Sequence, residues 1–337
     1  MNQLGLVLAG GGGKGAYQIG VWKALRRFGI DKNVAVISGN SVGGLNAALF
    51  MAGAYETAER IWLNIEPGQI LHPVPAQLIK AVVACTLSRI SPIVLSSVLP
   101  SLLADGIFSR DGLLEIIDSE VDLFGVSNSR LVGYVSCCPI NNLSSVEYIR
   151  LNGLDPELIK KYLLATSAIP GIFPVETINN ITYCDGGTRG YIYQKGSKEG
   201  FDNVPLLPLY NEGCNFGIIV HLSATSIIQK DRFPDMEILE IFPSESLGGL
   251  MNGTLDFSAE GAKRRMRIGY EDTIRVLEPF YDTIKTLSTV RWSNEQIRKE
   301  LVQTSEEVKG YLEESRAALE QTLNNLQKIG RENDVQG

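Results

Sequence analysis

The sequence predicts an α/β protein with a mainly parallel central sheet, and three observations carry that reading. Two short, continuous apolar runs, 4–9 and 34–37, each stop at a glycine-containing turn. Each is followed by a run with helical spacing, 16–28 and 42–52. Alternation of this kind sets strands parallel, with helices laid over them. Further apolar runs of strand length recur at 131–140 and 214–224, between helical stretches.

The elements follow in order. Residues 4–9 read as a buried strand because the run is short, apolar and ended by Gly10. Ile19, Trp22 (or Val21) and Leu25 fall three to four apart, which predicts a helix over 16–28. Residues 34–37 form a second buried strand, and 42–52 a second helix rich in small residues. The segment 67–105 is apolar and helical in pattern, interrupted by Pro92 and Pro100, and reads as a set of packed helices. Ser109 is placed to cap a helix whose apolar face is Leu113, Leu114, Ile116 and Ile117. Strands are expected at 131–140 and 144–151, joined by a turn at Asn141–Asn142. Asp155 as N-cap and Pro156 at the first helical position open a helix over 155–168. A turn-rich passage then leads to a short strand ending at Asp185, and 214–224 is a further buried strand. The remainder, 223–337, reads as mostly helical. Within it, 294–329 is a long amphipathic pattern with mixed charges. That pattern predicts a helix packed on its own domain or, alternatively, a contact with a second copy of the chain.

Composition narrows the function. Net charge is −7, too acidic for a protein whose main partner is nucleic acid, since phosphate binding needs a surplus of Lys and Arg. Five cysteines (Cys85, Cys137, Cys138, Cys184, Cys214) without a Cys-x-x-Cys spacing indicate reduced thiols in a reducing compartment. Two histidines, His72 and His221, are too few for a Cys/His zinc site. The opening "LGLVLAG" has no basic region before it and runs into glycines, unlike a signal peptide. No apolar run reaches the ~18 residues a spanning helix needs. The expectation is a cytoplasmic protein.

The loop "LAGGGGKGAYQIG" has competing readings. A P-loop fails twice: Leu8 stands where its first glycine belongs, and Lys14 is followed by Gly15 rather than Ser or Thr. Gly10, Gly12 and Gly15 satisfy the Gly-x-Gly-x-x-Gly dinucleotide pattern, but the following strand ends in Ser38, Gly39 and Asn40, with no acid for a ribose. Alternatively, glycines let successive N–H groups converge on one small volume at the start of a helix, as an oxyanion hole requires. Taken alone, the loop leaves nucleotide and oxyanion readings open.

Gly39-Asn40-Ser41-Val42-Gly43 is Gly-x-Ser-x-Gly between a strand and a helix, the setting of a nucleophile elbow, although Asn40 is roomier than the small neighbour usual there. Both loops sit at the C-terminal ends of consecutive strands, where sites form in such sheets. A serine nucleophile needs a base. Ser41, Asp185 and His221 fall in the chain order of a triad, but His221 lies inside "FGIIVHLSA" and reads as a structural, hydrogen-bonded histidine. His72 is in a loop flanked by proline. Asp185, at a strand end before Gly186 and Gly187, is the remaining base, and partial burial makes it a better proton acceptor.

"GGGGKG", "GNSVG" and "DGG" in this order, with "TSAIPGIFP" before the third, resemble the patatin-like phospholipase family over residues 4–222. The resemblance implies a three-layer α/β/α fold with C-terminal helices beyond it. It also implies a Ser-Asp dyad acting on lipid acyl esters without histidine, metal or cofactor. Motif by motif, Ser41 becomes the nucleophile and Asp185 the base. Gly11, Gly12, Gly13 and Lys14 supply the oxyanion hole. Gly10, Gly15, Gly39, Gly43, Gly186 and Gly187 complete the motifs. Segment 67–105 then reads as a lid over an acyl groove. Lipid substrate and transient contact with a membrane surface are the expected partners, with the protein peripheral to the membrane while acting. A homo-oligomer through the C-terminal helices is the alternative use of 294–329. Acyl transfer to another acceptor, and a non-catalytic nucleotide-binding module using Gly10–Gly15, are the rival functions. Two features depart from the family pattern. "TRGYIYQKGSKEGF" separates Asp-Gly-Gly from "DNVPLLP", which carries the Asn-x-Pro element, and the region from about 254 lies outside the resemblance.

Overall fold

The computed structural model describes residues 3–80, 104–140, 145–187 and 203–333. Cys85, the Asn141–Asn142 turn, most of the 67–105 segment and the interval after Asp-Gly-Gly lie outside the described residues. The chain divides into two compact units, Met1–Val276 and Leu277–Gly337.

Unit one opens as its sequence predicts: β1 (Leu4–Leu8), a 3-10 turn (Gly12–Gly15), α1 (Ala16–Arg27), β2 (Val34–Asn40) and α2 (Val42–Met51). Next come α3 (Tyr55–Asn64), α4 (Pro67–Ile70), α5 (Asp111–Glu120) and α6 (Leu123–Ser127). Then follow β3 (Val132–Pro139), β4 (Glu147–Arg150), α7 (Pro156–Thr166), β5 (Glu176–Ile178) and β6 (Ile181–Asp185). The last elements are α8 (Leu207–Asn211), β7 (Phe216–Val220), β8 (Glu237–Ile241) and α9 (Ala259–Asn333). Helix α9 starts in unit one and continues as the helix of unit two.

The strands form an eight-stranded sheet ordered β5-β6-β3-β2-β1-β7-β8, with β4 also on β3. The run β3-β2-β1-β7-β8 is parallel throughout. β4 and β6 are both antiparallel to β3 and lie on its opposite edges: β4 pairs Tyr134–Cys137 on the outer edge, and β6 pairs Cys137–Pro139 on the edge that β2 leaves at Ser136.

Side chains alternate across each strand and so serve two cores. Leu6 and Leu8 face α1 and α2, meeting Ile19, Trp22, Leu25 and Phe50. Val7 and Val36 face the other way, against Leu206, Leu209, Phe233 and Met236 from the α8 region and the approach to β8. Helices thus cover both faces of a mainly parallel sheet, the architecture the resemblance implies. Helix α2 is buried nearly all round. A helix apolar on every side belongs in an interior. Its small residues Gly43, Gly44, Ala47 and Ala48 let it lie against β1, β2 and β3.

Three details differ from the sequence reading. β2 runs on through Ser38 and Gly39 to Asn40, held in register by β1 and β3. Helix α5 begins at Asp111 with Arg110 at its N-cap, and Ser109 Oγ only approaches the Asp111 N–H at 3.4 Å. The region after 223 contains β8 as well as helix: Glu-Ile-Leu-Glu-Ile is too short to separate a period of 2 from one of 3.6. Helix α9 is tied to α1 within unit one, by Tyr17 OH to Asp272 (3.1 Å) and Arg27 to Tyr270 OH (2.8 Å). Among the described residues no helix is long and apolar enough to cross a membrane.

Candidate active site

Ser41 stands between β2 and α2 with φ 54° and ψ −129°, a conformation that L side chains rarely adopt. Such a backbone costs about 1–3 kcal/mol and persists only where its surroundings enforce it. Here they do. The Ser41 N–H donates to Thr166 Oγ1 at 2.9 Å, and the Thr166 hydroxyl donates to Ser136 O at 2.7 Å. The Ser41 carbonyl accepts from Gly44 N–H (2.8 Å) as α2 begins. Gly43 admits no side chain: a Cβ there would stand 2.2 Å from the Leu8 carbonyl oxygen. The first turn of α2 is therefore pressed onto the end of β1, which brings the loop after β1 beside Ser41. The positive end of α2 also points at this position.

Asp185 is the last residue of β6 and is 5% exposed. Its Oδ1 accepts from the Gly187 N–H (2.7 Å) and from Asn40 Nδ2 (3.1 Å), and the Ser41 side chain lies near enough to the same carboxylate to favour its charge. Burial lifts the carboxyl above its ordinary value, while Ser41, Gly187 and Asn40 pull it down; the net shift is upward. Its ionised form is thus a more basic carboxylate than usual.

Asn40, which sequence reasoning counted as merely bulky, organises this cluster. Its Oδ1 accepts from Ser136 Oγ (2.7 Å), and its Nδ2 donates to both Asp185 and Asn203 Oδ1 (3.0 Å). Asn203 in turn exchanges hydrogen bonds with Gly10, side-chain amide to Gly10 O (3.0 Å) and Gly10 N–H to Asn203 O (3.1 Å). The displaced Asn-Val-Pro element thus reaches the site despite the sequence inserted before it. Ser38 Oγ also donates to the Pro205 carbonyl. Asn40, Asn203 and Thr166 were not identified from sequence. Only Asn203 carried a signal, the Asn-x-Pro pattern.

The glycines take up their places around this core. Gly10 and Gly11 link β1 to the 3-10 turn that holds Gly12, Gly13, Lys14 and Gly15. Gly39 is the penultimate residue of β2, and Gly186 and Gly187 lead away from Asp185. The Lys14 N–H closes the turn on Gly11 O at 3.3 Å. A helical turn leaves its first N–H groups, here those of Gly12 and Gly13, without an intrahelical acceptor. The Lys14 amine is held below its usual value, first by burial and then by Arg265.

Gly12 and Ser41 both line a narrow cavity of about 90 Å³ whose other walls are mostly apolar, among them Leu45, Trp62, Ile117, Phe173 and Phe257. His221 belongs elsewhere: its Nε2 pairs with Glu240 on β8 at 3.1 Å, and its ring stacks on Phe242 with centroids 4.2 Å apart. Burial depresses its pKa, against the pull of Glu240. His72 is exposed. Among the described residues no cluster of His, Cys, Asp or Glu could hold a metal ion.

By its sheet and by the turn that presents Ser41, this is an α/β protein of hydrolase architecture. Residues 6–209 match the family model for patatin-like phospholipases. Over 67 residues the chain is 40% identical to the patatin-like phospholipase domain-containing protein ZK370.4 of Caenorhabditis elegans, a stretch that is 19% of this chain and 5% of that protein. The crystal structure of VipD from Legionella pneumophila aligns at 14% identity and a TM-score of 0.48, over 83% of this chain and 67% of that one. The type III effector ExoU aligns at 17% identity and a TM-score of 0.41, over 83% of this chain and 53% of its own. The chain belongs to the patatin-like phospholipase family, a family of lipid acyl hydrolases.

Proposed function

We propose that this protein hydrolyses acyl esters of phospholipids or related lipids, with Ser41 as nucleophile and Asp185 as its base. The observation that carries the reading is the buried carboxylate of Asp185 close to Ser41, whose side chain favours its charge and which lines an apolar cavity. Ser41 Oγ attacks the ester carbonyl as its proton passes to Asp185. The carbonyl oxygen becomes an oxyanion, received by N–H groups of the Gly11–Lys14 loop. Collapse of the tetrahedral intermediate expels the alcohol, which takes the proton back from Asp185. Water, deprotonated by the same carboxylate, then attacks the acyl-enzyme; the acyl–Oγ bond breaks, Ser41 Oγ takes the proton back from Asp185, and the fatty acid is released. The apolar cavity beside Ser41 suits the acyl chain.

A fluorophosphonate probe tests the reading. The expected result is a single phosphonylated serine, located at Ser41 by peptide mass spectrometry, with esterase activity lost in proportion to labelling. Hydrolysis that continues with Ser41 unlabelled refutes it.

Lipid substrate implies a docking face, and the turn Leu250–Thr254 supports one. Leu250 and Met251 are 56% and 74% exposed at its tip, while Thr254 and Leu255 line the cavity. Met251→Glu should leave turnover of a water-soluble short-chain ester within about twofold and lower turnover on phospholipid vesicles about tenfold. Equal effects on the two substrates would remove this turn from the membrane contact.

A further inference from the structure

We propose that Arg265, far outside the segment matched by the family model, is a positioning residue for the glycine loop. Its guanidinium holds the Gly13 carbonyl and thereby fixes where the loop's N–H groups point. The inference rests on the acyl-hydrolase reading above and extends it.

The starting point is a mechanical difficulty. A run of glycines can bring several N–H groups together, but glycine has the greatest backbone freedom of any residue and no side chain to hold it. Donors that receive a developing charge must be held to within about 0.5 Å to be effective. The restraint therefore has to come from other parts of the chain.

Arg265 supplies it. The residue lies in the first turns of α9 and is 2% exposed. Its Nη1 donates to Gly13 O (3.3 Å) across 252 residues of sequence. The remaining donors go to one strap of chain before α9. Nε reaches Leu247 O (3.3 Å), Nη1 also reaches Asp256 O (2.9 Å), and Nη2 reaches Asn252 O (3.0 Å) and Asp256 Oδ2 (2.6 Å). A buried cation is tolerable only when paired and fully hydrogen-bonded, and this one is. The planar, five-donor fork of arginine can satisfy carbonyls from separate segments at once; a lysine ammonium cannot reach them all.

The strap also lies directly against the loop. A Cβ on Gly12 (φ +56°) would stand 2.2 Å from Thr254 O, and one on Gly13 would stand 2.1 Å from Asp256 O. The Lys14 stem runs beside Gly253. Loop and strap therefore meet main chain to main chain, and Arg265 is the bolt through both. The same strap sends Thr254, Leu255 and Phe257 into the cavity wall.

The test compares full-length Arg265→Gln, Arg265→Lys and Asp256→Asn on a water-soluble short-chain ester, with thermal melts alongside. Arg265→Gln should lower kcat about 100-fold with KM within about twofold, the pattern of an interaction realised in the transition state. Arg265→Lys should recover only part of the loss. Asp256→Asn removes the carboxylate that aims the guanidinium and should lower kcat about five- to tenfold at unchanged KM. A folded Arg265→Gln with kcat within about threefold of wild type overturns the inference, as does a loss carried by KM. Should Arg265→Gln fail to fold, Asp256→Asn decides: kcat within about twofold overturns it. Wild-type protein that neither hydrolyses esters nor takes up fluorophosphonate at Ser41 overturns the hydrolase reading and this inference with it. Active wild type with unmoved variants overturns this inference alone.

Discussion

Ser41→Ala is expected to remove ester hydrolysis by a factor of at least about 10⁴ while the protein stays folded. Alanine keeps the N–H that donates to Thr166 and the carbonyl that accepts from Gly44, so the turn retains its anchors. Only the hydroxyl is lost. Two residues that act as one unit are not additive. The double variant Ser41→Ala/Asp185→Asn should therefore be no slower than Ser41→Ala alone. Steady-state kinetics on a soluble ester, with a melting curve for each variant, provide the check. A double variant slower by a further factor of 100 or so would mean that the two side chains act separately, and the proposed mechanism would fail.

Asp185→Asn should move activity and stability in opposite directions. Activity should fall about 10³-fold or more, because an amide cannot accept the serine proton. Stability should rise. Burial has lifted the Asp185 carboxyl above the value it has in the unfolded chain, so its ionised form is disfavoured in the native state at neutral pH. The sign follows directly: this penalty is absent below the unfolded pKa and grows as pH climbs to the folded one. Asparagine relieves it while its oxygen can still accept from Gly187 and Asn40, and its NH₂ can donate to Ser41. A gain of about 1 kcal/mol would raise Tm by about 2–4 °C at this size. The same shift predicts that kcat/KM of the wild type falls on the acid side at a pH above the ordinary aspartate value of about 3.9. A lower Tm in Asp185→Asn, or an acid limb at or below that value, would show that burial does not set the properties of this carboxylate.

The parts of the site that could be read from sequence are those made by contiguous residues. Strand, glycine loop and helix, then strand, serine turn and helix, are local patterns, and each stands where its pattern put it. Asp185 was legible for the same reason, as a strand end before two glycines. What escaped is what the fold assembles over distance. Asn40 read as an awkward neighbour because its worth depends on Ser136, Asp185 and Asn203, which lie up to 163 residues away. Thr166 carries no local sign that its hydroxyl will hold the Ser41 N–H. Arg265 carries no local sign of its place, and only folding brings it to Gly13. β8 was missed through brevity: five residues cannot declare a period.

The handover on the edge of β3 has a consequence for where the acid stands. Along one edge of β3, β2 ends with Asn40 opposite Ser136 and β6 ends with Asp185 opposite Cys137, so β6 halts where β2 ends. With that edge already occupied, the chain has to leave the sheet immediately after Asp185. Asn40, the last residue of β2, acts as a doorstop, measuring off where β6 ends. Because successive residues point to opposite sides, slippage of β6 by a single place would turn the carboxyl to the far side of the sheet. The proposed base is thus located by a matter of counting, at the point along one edge where two strands meet end to end.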